Sequence, residues 1–312
     1  MRIATFNVQN MRLRQVDGRP HLQGAQDREE RRRHGDAALD AVDRRLTAEV
    51  LHAIDAEVVA LQEVFDAAAL DHFHDAWLRP AGLAPYPHRV CLPGNDGQGL
   101  NVALLSRRPL GRVASHAHET AASLGLAEAP EAVRAGPLFR RDCLEADLDG
   151  DAALTLYVCH FKAPWPDAAR ARAIRRAEAA GVRRLIERRF DRPAEARWIV
   201  LGDLNRPAGG RAGAAGSLAP LTDGFAVDLL DRLPGGTDWT FRVHDTQAPA
   251  RPDAILLSPA LAARYLEARP SIFRAGMDPD MGDRAGGAFA AVGAPRPHAS
   301  DHAAVWVDLP GL

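Results

Sequence analysis

Short apolar runs rich in β-branched residues alternate along this chain with longer stretches whose apolar positions recur every three or four residues. The short runs predict strands over 3–8, 58–64, 100–106, 138–148, 154–161, 198–202, 239–243, 254–258 and 303–309. The longer stretches predict helices over 34–56, 67–78 and 167–190; in the first of them Leu39, Val42, Leu46, Val50 and Ile54 mark one face. In the last, Ile174, Ala177, Gly181 and Leu185 supply the apolar face, so its arginines, Arg170, Arg175 and Arg184 among them, are expected in solvent. Helix-separated strands are mixed with consecutive ones that suit antiparallel neighbours. That order predicts an α/β layer structure with mixed sheets rather than an all-parallel wound sheet. Segments 11–35, 118–136, 207–220 and 274–297 read as surface loops, since they carry turn residues but no period. With no internal repeat and no linker-like stretch, residues 1–312 are expected to form a single domain.

Composition changes this picture in several ways. At 312 residues, 46% hydrophobic and 26% charged, the chain has the balance of a soluble protein with a sizeable core. Its net charge of −2 gives no global attraction to polyanions, so any such site must be local. No run nears the roughly 20 apolar residues of a membrane span, and MRIATFNVQN does not read as a leader. Cys91, Cys143 and Cys159 are scattered and odd in number, which speaks against a disulfide framework or a cysteine zinc site. A cytoplasmic protein without stable membrane association or an obligatory protein partner is expected. Among 39 basic residues Lys162 is the sole lysine. It is either a phosphate-facing ammonium that arginine cannot replace or a surface residue closing a strand.

The candidate chemistry lies where polar residues interrupt or end apolar strands. Asn7 ends the first, Glu63 the second and His160 a third; Asp203 and Asn205 follow 198–202, Asp253 precedes 254–258, and Asp301 and His302 precede the last. A carboxylate at a strand end is ordinarily a turn former or helix cap, and a lone histidine a structural residue. As a set, these residue types are those that serve a hard cation, an attacking water and a phosphoryl group. Asp203 and Asn205, two apart, would face one way in an extended segment. No GxxxxGK[ST], HExxH or GxSxG occurs, and 209–216 lacks a GxGxxG between strand and helix. The HxH pairs at His72 and His74 and at His116 and His118 lack a third nearby ligand.

The words TFNVQN, LQEV, LSRRP, FRRDCLE, CHFK, LGDLN, RPDAILLS and ASDHAAV, in this order over nearly the whole chain, resemble the endonuclease/exonuclease/phosphatase superfamily. That superfamily includes pancreatic-type deoxyribonuclease, apurinic endonucleases, inositol-polyphosphate 5-phosphatases and neutral sphingomyelinases. GNDGQGLNVALLSRRPL and FRRDCLEADL also resemble a bacterial branch of it. The resemblance implies a four-layer sandwich, two mixed β-sheets packed face to face with helices outside, and a divalent-metal-dependent hydrolase of phosphate esters. By it, Glu63, with Asn7 and Asp301 nearby, would hold Mg²⁺ or Mn²⁺, as one ion or two. Asp203 would orient the attacking water, His302, oriented by Asp253, would act as base or charge stabiliser, and His160, Asn205 and Arg141 would hold phosphate oxygens. Arg140 is the alternative to Arg141, and Lys162 would join them if it faces the phosphate. Ser300 is expected to make local hydrogen bonds rather than act as a nucleophile. The implied substrate is a phosphodiester, nucleic acid first, since Trp239-Thr240-Phe241 ahead of Asp253 is similar to the aromatic loop of the nucleases. A phosphomonoesterase, a lipid phosphodiesterase and a non-catalytic binding module are the alternatives.

Overall fold

The computed structural model describes residues 1–26, 36–127, 129–150, 153–206, 211–243, 245–278 and 287–312. Its strands are β1 (Arg2–Met11), β2 (Leu13–Val16), β3 (Arg19–Leu22), β4 (Val58–Val64), β5 (His88–Cys91), β6 (Asn101–Ser106), β7 (Leu110–Ser115) and β8 (Cys143–Leu148). They continue with β9 (Leu154–His160), β10 (Trp198–Asp203), β11 (Val227–Asp228), β12 (Phe241–Arg242), β13 (Pro249–Ala250), β14 (Asp253–Leu257), β15 (Ser271–Phe273) and β16 (Ala304–Asp308). The α-helices are α1 (Ala37–Ile54), α2 (Ala67–Phe73), α3 (Glu131–Arg134), α4 (Ala168–Arg189), α5 (Arg211–Thr222) and α6 (Pro259–Arg264).

Two six-stranded sheets form, in the orders β15-β16-β1-β4-β6-β5 and β11-β14-β10-β9-β8-β7. Both are mixed. In the first, β1 and β4 run parallel and β16 and β6 antiparallel beside them. In the second, β9 and β10 run parallel, with β14 and β8 antiparallel beside them. The inner faces interdigitate through Ile3, Val58, Val102 and Leu104 on one side and Leu156, Val158, Ile199 and Leu201 on the other. The first sheet's outer face is covered by Leu46, Val50 and Ile54 of α1 and Leu70 and Phe73 of α2. Ile174, Val182 and Leu185 of α4 and Leu218 and Leu221 of α5 cover the second. Four layers result because the central strands are apolar on both faces; each such side chain, fully buried, contributes about 1.5–3 kcal/mol. The α1, α2 and α4 helices begin where Asp36, Asp66 and Asp167 accept hydrogen bonds from first-turn amides. No helix among the described residues is long and apolar enough to cross a membrane.

Several expectations need correction. The 11–35 segment is not all loop: β2 and β3 form a hairpin across Asp17-Gly18, with φ of 50° and 73° at the two turn residues. That dipeptide is a strong two-residue hairpin signal. Within 207–220, residues 211–220 belong to α5, whose Leu218 and Leu221 pack without an apolar period long enough to read; residues 207–210 lie outside the described residues. The 118–136 segment contains the short α3, and 279–286 of the fourth segment is not described. The 138–148 strand begins only at Cys143, 239–243 is reduced to the two-residue β12, and α2 passes into a single wide turn over His74–Leu78. Strands β5, β7, β11 and β15, which no apolar run announces, lie at sheet edges. In α4, Arg175 faces inward at 1% exposure, and its Nη1 donates to the Lys162 carbonyl at 2.7 Å.

Candidate active site

The strand directions bring the candidates together. The C-terminal ends of β1, β4, β9 and β10 and the N-terminal ends of β6, β8, β14 and β16 all fall on one edge of the sandwich. His160, Asp203 and Asp253 are register neighbours across β9, β10 and β14. The two sheets meet at this edge where Asn7 Nδ2 donates to Asp203 Oδ2 at 3.1 Å and to Glu63 Oε1 at 3.3 Å. A cleft of about 750 Å³ opens there, lined among others by Glu63, Arg141, His160, Lys162, Asp203, Asn205, Asp301 and His302.

Bulges aim the side chains. The β1–β4 register shifts between Asn7 and Met11, and the β4–β6 register shifts between Gln62 and Val64. Asn7 and Glu63 therefore sit inside strands, not at their ends as the apolar pattern suggested. Gln9, Asn10, Glu63 and Asn205 have φ of 46°, 57°, 67° and 51°. Left-handed backbone at non-glycine residues is costly and clusters where a side chain must be redirected. At Gly202, with φ of 140°, a Cβ would strike the Cys159 carbonyl, so only glycine lets β10 close on β9 beside Asp203. The expected extended spacing of Asp203 and Asn205 is not found. The Asn205 amide donates to Asp203 Oδ1 at 2.9 Å in a tight turn, and Asn205 Nδ2 donates to the Phe161 carbonyl at 3.0 Å.

Asp203 Oδ2 lies 3.4 Å from His160 Nε2 and 3.8 Å from His302 Nε2. His302 Nδ1 is 2.9 Å from Asp253 Oδ2, and the His302 ring packs on Phe241 with centroids 5.0 Å apart. Ser300 Oγ donates to the Asn7 carbonyl and accepts from the His302 amide, a local role. Arg141 Nη1 donates to the Phe161 carbonyl and its Nε lies 3.2 Å from Asp96 Oδ2; Arg140 also lines the cleft. Lys162 Nζ donates to the carbonyls of Ala163 and Trp165 at 3.0 and 2.5 Å, so the ammonium lies at the cleft rim.

Burial separates the titrating groups. It pushes Asp203 up to about 6 and, with the neighbouring Asp301 charge, raises Glu63. Burial, then Arg141 and His302, hold His160 well below the usual histidine value. Burial alone would also lower His302, but Asp253, Asp203 and Asp301 outweigh it and hold the imidazole well above that value. At neutral pH the metal-free site thus carries a neutral His160 and a charged His302.

The donor set fits a divalent cation. Asp203, Asp253 and His302 place ligand atoms within 4.8 Å of one another. Because Asp253 already occupies His302 Nδ1, this trio reads as a hydrogen-bonded relay. Oxygen donors suited to a hard ion lie beside it in Glu63 and Asp301. Asn10, which the sequence reading missed, adds another. Its Nδ2 donates to the Gln26 carbonyl, which leaves Oδ1 buried without a partner in the cleft wall, and its amide donates to Glu63 Oε2 at 2.9 Å. Only the bulge, invisible as a periodicity, puts it there. Glu178 was also missed; buried in α4, it accepts the Arg140 and Lys162 amides at 2.9 and 2.8 Å and so braces the segments that enter β8 and leave β9.

The two mixed sheets with an acidic and imidazole-lined edge are an architecture whose family the sequence identifies. The profile of the Endonuclease/Exonuclease/phosphatase family matches residues 4–302, so the chain belongs to that family. Solved structures share the fold at low identity. Truncated TDP2 from Caenorhabditis elegans is 15% identical, with 98% of this chain and 96% of that chain covered and a TM-score of 0.57. A 3′-5′ exonuclease from Neisseria meningitidis is 17% identical, with 99% of each chain covered and a TM-score of 0.57. A mannosyl-6-phosphatase from Bacteroides thetaiotaomicron is 14% identical, with 99% and 98% covered and the same TM-score. No curated protein sequence matches the chain.

Proposed function

We propose that this cleft hydrolyses phosphodiesters, nucleic acid foremost, by direct attack of water at phosphorus. The observation that carries the reading is the position of Asp203, whose Oδ2 lies among Asn7, His160 and His302 at the meeting of the two sheets. A carboxylate pushed up to about 6 is matched to taking a proton near neutrality. The water oxygen bonds to phosphorus, its proton passes to Asp203, and the ester oxygen opposite departs. His302, kept charged by Asp253, stabilises the charge gathered at phosphorus. Neutral His160, and the N–H groups of Asn205 and Arg141 that the Phe161 carbonyl does not take, would donate to phosphoryl oxygens, and Lys162 would add positive charge at the rim. Glu63, Asn7 and Asp301, with Asn10, would hold Mg²⁺ or Mn²⁺, which when bound polarises a phosphoryl oxygen and offsets its charge. The three cysteines, buried and unpaired, support a reducing, cytoplasmic setting.

The test compares a bis-aryl phosphate, a mono-aryl phosphate, single- and double-stranded DNA, RNA, a sphingolipid and a hexose 6-phosphate, each with magnesium and with chelator. Magnesium-dependent hydrolysis of the diester and of nucleic acid, but not of the monoester, is expected. Asp203→Asn should cut that rate by about 10²–10⁴-fold. Turnover of the monoester or the hexose phosphate alone would replace this reading with a phosphomonoesterase.

A further inference from the structure

The α4 helix is entered through Lys162-Ala163-Pro164-Trp165-Pro166, and in this loop Trp165 is 72% exposed. Among the described residues the other exposed large apolar side chains, all less exposed than Trp165, are Val16, Val227 and Leu266; Trp165 alone of the four is aromatic and lines the cleft. An indole left in water forgoes a large burial gain, which a ligand can recover. The loop that holds it is also braced. Lys162 Nζ ties down the carbonyls of Ala163 and Trp165, and the Lys162 carbonyl and amide are held by Arg175 and Glu178. Prolines on both sides of Trp165 restrict the backbone further. The indole is therefore presented at low entropic cost, the condition for tight stacking.

We propose that Trp165 is a stacking platform for an unpaired nucleobase, and that it directs the cleft toward single-stranded nucleic acid. The inference rests on the phosphodiesterase reading above and adds a subsite to it. The neighbouring chemistry is that of a nucleotide: a flat apolar face for the base, and beside it the ammonium of Lys162, with Arg140 lining the same cleft. The hydrogen-bond partners of Lys162 Nζ are neutral carbonyls, so its charge remains for a phosphate. Bases inside a duplex already stack on one another, so a single rim indole can take only an unpaired or terminal one.

The test is equilibrium binding in an Asp203→Asn background, so that the probe survives, with magnesium present. The probes are a short oligothymidylate, an abasic strand of equal length, and a duplex. The thymidylate should bind about tenfold more tightly than the abasic strand or the duplex. Trp165→Ala should remove that advantage and leave abasic binding unchanged, while Trp165→Phe should keep most of it. Equal thymidylate binding by Trp165 and Trp165→Ala, or an equal loss on the abasic strand, overturns the platform. Displacement of the strand by a hexose 6-phosphate, dependent on Trp165, overturns it in favour of a sugar. If the wild-type protein hydrolyses no phosphodiester while the base-dependent pattern holds, the hydrolase reading fails and the subsite stands.

Discussion

Two groups of buried carboxylates lie close together under the same sheet edge and differ in their charge balance. In the first, Asp40 and Asp43 of α1 meet Arg296, while Arg44 donates to the Val8, Gln9 and Gln23 carbonyls and His21 reaches Asp40 at 2.9 Å. Each acid there has a cation, and the group clamps the β1 bulge and the 296–298 segment onto α1. In the cleft, Glu63, Asp203, Asp253 and Asp301 crowd together with one charged imidazole, and Arg141 is already engaged by Asp96. Burial without compensation costs stability, and it is tolerated where a ligand supplies the missing charge. The comparison separates the acidic group that clamps the scaffold from the one proposed as the site.

The largest test of that contrast is a double readout. Asp203→Asn should reduce diester turnover by about 10²–10⁴-fold while urea denaturation shows stability unchanged or increased, since one uncompensated charge is gone. Arg296→Ala should do the reverse. It removes the ion-pair partner of Asp43 and leaves Asp40 only His21 and Arg14, costs about 3 kcal/mol in the same denaturation series, and leaves turnover per folded molecule nearly unaltered. A smaller effect is expected from magnesium, which should raise the thermal midpoint by a few degrees at saturating concentration in the wild type and in Arg296→Ala, but not in Glu63→Gln.

The smallest effect concerns acid. Burial would raise Asp40, but its bonds to His21 and Arg296 outweigh that and hold the carboxyl below its ordinary value. Its stabilisation is therefore complete above the unfolded value of about 3.9 and is lost as pH falls through the lower folded one. His21→Ala should move the acid-unfolding midpoint upward by less than about one pH unit, read by circular dichroism. An unmoved midpoint would mean that the pair adds nothing.

Much of this arrangement was legible because the central strands are covered on both faces and so are written as apolar runs. The polar residues that break those runs, His160 and Asp203 above all, lie on one edge since parallel neighbours must end together. Edge strands such as β7 and β15 bury too little to leave such a run. The hairpin at Asp17-Gly18 had a readable turn that the eye for period passed over. Other residues were hidden for two reasons: Asn10 reaches the cleft through a bulge, and Glu178 and Arg175 face inward from a helix whose arginine-rich composition suggested solvent. Trp165 was not picked out either, because an exposed aromatic has no pattern of its own.

The central claim, that an uncompensated acidic cleft takes a divalent ion and with it cleaves phosphodiesters, is tested most directly by magnesium titration of metal-stripped protein. Calorimetry and hydrolysis of a bis-aryl phosphate would be read on the same samples, for the wild type and Glu63→Gln. Binding and turnover should rise together in the wild type, and both should be lost in the variant. Full turnover by the stripped wild type in chelator, or saturable binding unchanged by Glu63→Gln, would contradict it.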